Sequence, residues 1–146
     1  MSSDFHDDFK KESFQMSIKI NVSVGEIIDK ITILDIKAEK INDQDKLYNI
    51  CKERDSLLPA IALPAYQTEK MQQLKAELKQ VNLLLWEIED AIRLKEVEKC
   101  FDTEFVELAR SVYFTNDKRA ALKKQINIQT GSELMEEKSY QDYEWR

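Results

Sequence analysis

The stretch TEKMQQLKAELKQVNLLLWEIEDAIRLKEV, Thr68 to Val97, decides the fold. Met71, Leu74, Leu78, Val81, Leu85, Ile88 and Ile92 recur at alternating steps of three and four, which aligns them along one seam of a long helix. Thr68 is placed to cap the first turn, and Glu89 with Arg93 has the favourable i, i+4 order for an ion pair. A second apolar stripe, Leu83, Trp86, Leu94 and Val97, lies on another side of the helix, with Asp90 between Trp86 and Leu94. A helix apolar on two sides needs two partners. Asp90, so placed, is expected to be a buried acid paired with a basic group.

Upstream, the segment PAIALPA from Pro59 to Ala65 holds both prolines and reads as a loop. A shorter helical stretch with Leu47, Tyr48, Cys51 and Leu58 leads into it, after a polar break at Asn42 to Asp45. Before that break a helix opens at Ser23, with Glu26 completing a capping box. Its seam is Ile27, Ile31, Leu34, Ala38 and Ile41, and Ile33 with Ile36 falls on nearly the opposite side. This helix must be central or sit at a subunit interface. From Phe14 to Val24 the pattern is strict alternation, with Met16, Ile18, Ile20 and Val22 on one side, which predicts a half-buried strand. No second stretch of that quality occurs, so the expected partner is the aromatic tail, a short extended piece near Ile126 to Thr130, or, the favoured choice, the same strand of a second copy. Residues 1–15 read as a flexible arm.

Downstream, Asp102 is placed to cap another helix, with Phe101 and Val106 as a hydrophobic staple. Phe105, Leu108, Ala109 and Val112 form its buried face, Thr115 and Asn116 are expected to interrupt it, and a last helix carries Leu122 and Ile126. Gly131 is placed to end that helix in the left-handed conformation. The acidic tail, with Tyr140, Tyr143 and Trp145, is expected to fold back onto the basic residues Lys118 to Lys124. The fold class expected is mainly α: a helical bundle with long antiparallel coiled-coil-like helices and one short N-terminal β-strand. Residues 16–146 are expected to form a single helical domain and to pair as a homodimer.

Composition narrows function. A net charge of -6 disfavours nucleic acid and anionic membranes as partners, and no apolar run approaches the length of a membrane span or a signal peptide. A cytoplasmic location is expected. Two glycines in 146 residues leave no phosphate-cradling loop, and the single histidine, His6, leaves no histidine-based catalytic pair or zinc motif. Cys51 and Cys100 lack metal or redox spacing and read as buried thiols. No cofactor is expected.

Among acids, Glu87 and Asp90 form an ExxD step that can jointly hold a divalent ion. Helical nucleotide pyrophosphohydrolases pair such a step with an ExxE on an earlier helix, which residues 60–80 lack, so no metal site is assigned to the pair. The segment ARSVYFTNDKRAALKK, Ala109 to Lys124, is chemically the most distinctive. It sets Arg110, Lys118, Arg119, Lys123 and Lys124 against the one acid Asp117, with Tyr113, Thr115 and Asn116 supplying hydrogen-bonding groups. Arg110, Tyr113, Asn116, Asp117, Lys118, Arg119 and Lys123 are therefore the candidate anion-binding residues, aided by amides at the expected helix restart. The competing structural expectation is that these cations pair with acids of the tail.

Three segments, SVGEIIDKITILDIKAEKI (Ser23 to Ile41), ARSVYFTNDKRAALKKQIN (Ala109 to Asn127) and EEKSY (Glu136 to Tyr140), resemble a family of short bacterial proteins of unknown function carrying an ARSVYFTND-type motif. The resemblance spans most of the chain after Gln15. It implies bacterial origin, a helical protein without an assigned activity, and a link to surface-glycan synthesis. The function expected is a non-enzymatic protein-interaction or assembly module with a protein partner. The alternative is a binding protein or enzyme for a phosphorylated metabolite or nucleotide sugar, using Arg110 to Lys124.

Overall fold

Each helix starts where a short polar side chain can satisfy free amides. The structure, a computed structural model, describes residues 16–143. Helix α1 (Val24–Lys40) is capped by Ser23, α2 (Gln44–Leu57) by Asp43, α3 (Glu69–Val97) by Thr68 and α4 (Thr103–Thr130) by Asp102. Between α2 and α3 the two prolines open 3-10 turns, Leu58–Ile61 and Pro64–Tyr66. Gly131 ends α4 at φ 62°, a left-handed position that glycine adopts without a Cβ clash.

Helices α3 and α4 form a long hairpin, and α1 packs against α2, α3 and α4 together. Most of the apolar surface of α1 is covered inside the chain: Ile28, Ile31, Leu34 and Ile36 are buried and Ile33 is half-buried. The core joins Ile28 and Ile31 of α1 to Met71, Leu74 and Leu78 of α3, Ile126 of α4 and Ile61 of the first 3-10 turn. The far end of the hairpin is less covered, with Leu94, Val97, Phe101 and Val106 exposed.

Four expectations are corrected. No strand occurs among the described residues: Met16, Ile18 and Ile20 stand exposed with no neighbouring strand to take up their backbone groups. Phe14, the start of that alternation, lies outside the described residues, as do His6 and Trp145. Helix α4 runs unbroken through Thr115 and Asn116. The propensity cost of such residues is about 0.5 kcal/mol each, small beside the packing of a long helix, and Thr115 is turned inward and buried. Asp90 is exposed, on a side of α3 that no other helix covers among the described residues. Cys51 and Cys100 are free and only half-buried. The staple also differs in detail, because Phe101 meets Phe105 edge to face at 5.1 Å while Val106 stays exposed.

Candidate functional site

Inside α1, Asp29 and Thr32 lie one turn apart and are both buried. A buried carboxylate demands partners, and two other helices supply them. From α4, Arg119 grips Asp29 in a two-pronged ion pair, Nε to Oδ1 at 2.9 Å and Nη2 to Oδ2 at 2.5 Å. From α3, Asn82 donates to Asp29 Oδ1 and to Thr32 Oγ1, each at 2.9 Å. Thr32 in turn donates to the Asp29 carbonyl at 2.8 Å. One turn further along α4, Lys123 donates to Glu26 of α1 and to Glu136 of the tail, both at 2.7 Å, and lies 4.0 Å from Asp29.

The first turn of α1 is closed in the same way. Its amides at Val24, Gly25 and Glu26 donate to Ser132, Asn127 and Ser23 respectively, so no free donor is left there for an anion. The approach is close enough to require glycine: a Cβ at Gly25 would stand 2.5 Å from the Lys123 carbonyl oxygen. Among the described residues every buried side-chain nitrogen or oxygen has a partner.

Electrostatics follow the geometry. The hydrogen bonds to Asp29 raise the Arg119 pKa above the ordinary arginine value. Burial pulls Lys123 down, but its hydrogen bonds to Glu136 and Glu26 and the charge of Asp29 outweigh that and leave it raised. Lys123 in turn holds Glu136 below the ordinary glutamate value. Arg119, Lys123 and Glu136 are therefore charged at neutral pH.

One cleft borders the network and another lies further along α4. The first, of about 420 Å³, is walled by Ile33, Ile36, Leu85 and Trp86, with Asn82 and Arg119 also reaching it. The other, of about 550 Å³, lies between α4 and the tail, where Tyr113, Asn116 and Asp117 face Lys138, Tyr140 and Tyr143. The tail returns to the body in part: Glu136 reaches Lys123, while Tyr140 stays exposed and Trp145 lies outside the described residues. Tyr143 stacks edge-on against Tyr113 and Phe114 and donates its hydroxyl to Asp117, which pushes the phenol up to about 12.

The seven candidate anion-binding residues are consequently dispersed. Arg119 and Lys123 point into the network, whereas Tyr113, Asn116 and Asp117 line the tail cavity. Arg110 pairs with Glu107 at 3.2 Å and lies over the Phe114 ring, and Lys118 sits by Glu87 against α3. The continuous α4 removes the helix-start amides from the anion site. Glu87 and Asp90 are both exposed, and no group of three or more metal-ligating residues occurs among the described residues. Asp29, Thr32, Asn82 and Asn127 were not among the sequence candidates, although an asparagine on the apolar seam of α3 and an acid amid the isoleucines of α1 are signals of a buried polar network.

The three segments singled out by resemblance meet here: Glu26 and Asp29 from the first, Arg119, Lys123 and Asn127 from the second, Glu136 from the third. A family of unknown function, DUF6165, matches residues 18–143. The chain belongs to that family. No curated protein and no solved structure matches the DUF6165 chain. Among its described residues no helix is long and apolar enough to cross a membrane.

Proposed function

We propose that the chain is a non-enzymatic protein-interaction module, a single helical domain over residues 16–146 behind an arm of residues 1–15, working in the cytoplasm. What supports this is the separation of charged from apolar groups. The cations Arg119 and Lys123 are spent on Asp29, Glu26 and Glu136, while the hairpin leaves Leu94, Val97, Phe101 and Val106 exposed at 63%, 79%, 56% and 50%. Apolar groups gathered on a surface mark contact sites. The family resemblance supplies bacterial surface-glycan synthesis as the setting for a protein partner.

A second reading, a site for a phosphorylated metabolite or nucleotide sugar, keeps one supporting observation: Tyr113, Asn116 and Asp117 share the lining of the tail cavity with Lys138. A thermal-shift screen with nucleotides, nucleotide sugars and sugar phosphates separates the two. The interaction role predicts an unchanged melting temperature, whereas a ligand at 100 times its dissociation constant would add about 2.7 kcal/mol. In parallel, a stoichiometric protein should co-purify from the native host and be lost with Phe101→Glu and Val106→Glu. Stabilisation by a phosphorylated compound, without such a protein, would replace the first reading by the second.

A further inference from the structure

On the outer side of α3, Trp86, Asp90, Arg93 and Val97 follow one another at steps of four, three and four, and so form one stripe. Trp86 is half-buried, Asp90 is exposed, and Arg93 and Val97 are 78% and 79% exposed. The spacing reads the same from either end. An antiparallel copy, related by a two-fold axis passing between Asp90 and Arg93, sets Trp86 opposite Val97 of the partner subunit and Asp90 opposite Arg93 of the partner subunit, and repeats both pairings. Apolar groups then meet apolar groups at the ends, and acids meet bases in the middle.

The state of these side chains fits such a use. Asp90 has no ion pair among the described residues, and Arg93 has only an exposed 3.4 Å contact with Glu89, of a kind that yields readily to a better partner. The cleft of about 420 Å³ beside Trp86, walled by Ile33, Ile36 and Leu85, continues into a depression at Leu94 and Val97. Together they make a groove from Asn82 to Val97, about 22 Å at the helical rise, long enough for four turns of a second helix. Apolar, base, acid, apolar is the order a helix must present to fill it, and this chain carries that order itself.

We propose that α3 is a homodimer interface, with Val97 of the partner subunit entering the cleft at Trp86. The assignment rests on the interaction role given above and names a second copy as the occupant of this face.

Sedimentation of the purified full chain at micromolar concentration tests it. The expected mass is twice 17.2 kDa. Asp90→Arg alone, or Arg93→Asp alone, sets like charges together at both central contacts and should raise the dimer dissociation constant about a hundredfold. The double variant Asp90→Arg, Arg93→Asp restores the complementary order and should return to within about threefold of the unmodified chain. Both positions are exposed, so the circular dichroism spectrum should not change. A monomeric unmodified chain, single variants that dimerise normally, or a double variant as weak as the singles would each overturn the proposal. None of these results touches the interaction role itself, which stands or falls on the ligand screen and the Phe101 and Val106 variants.

Discussion

At the residue scale the network around Asp29 carries the largest stakes. Asp29→Ala would leave Arg119 half-buried without its acid and is expected to cost about 3 to 5 kcal/mol in urea unfolding. Adding Arg119→Met to that variant should recover part of the loss, because an apolar side chain has no charge to strand. Gly25→Ala is expected to cost about 1 to 3 kcal/mol, since its Cβ meets the backbone oxygen of Lys123 and not the end of a flexible side chain. Acid should act on Asp102, whose pKa falls from 3.8 to about 2, chiefly through the Phe105 amide and then Lys95. A depressed carboxylate stabilises the fold above its unfolded value, and that support is lost as pH falls from about 4 through about 2. Asp102→Asn keeps an acceptor for the amide but should flatten that part of the acid-unfolding curve. Little of the network was legible in the sequence. Asp29, Asn82 and Arg119 come from three helices, and periodicity within one helix says nothing about which polar groups meet across helices. Arg119 and Lys123 stand out in the sequence as part of a basic segment, but their charge is turned inward.

At the scale of elements, the caps at Ser23, Thr68, Asp102 and Gly131 are local chemistry and were legible without any partner. The strand was not, because alternation at Met16 to Val22 records only the order of side chains, and a strand exists by pairing with another. The break at Thr115 and Asn116 failed for the converse reason: local preference was read where packing along α4 decides. The tail is held by Lys123 to Glu136 and by Tyr143 on Tyr113 and Phe114. Removing residues 133–146 should therefore lower the melting temperature by about 3 to 8 °C, as a loss of about 1 to 2 kcal/mol would. Because Glu136 titrates below its ordinary 4.5, its contribution is present above that pH and disappears as pH falls through its lowered folded value. The truncated and full chains should then converge in stability toward acid. A constant gap between them at all pH values would show that the tail is held by its aromatics alone.

At the scale of the whole molecule, the two-sided helices have different fates. On the second face of α1 the chain itself buries Ile36 and half-buries Ile33, whereas Leu94 and Val97 of the second stripe of α3 stay exposed, a distinction the sequence pattern does not contain because both helices show two apolar faces. The charged family segments close on one another and hold α1, α4 and the tail together, which leaves the outer side of the hairpin as the surface proposed for contact. Side-chain footprinting by hydroxyl radicals, on the purified chain in dilute and in concentrated solution, tests this most directly. Labelling of Trp86, Leu94 and Val97 should fall as concentration rises, while Ile128 and Met135, exposed elsewhere, should label equally in both. Equal labelling of the α3 stripe at the two concentrations would contradict self-association on this face, and protection confined to the tail cavity on adding a phosphorylated compound would contradict the interaction role.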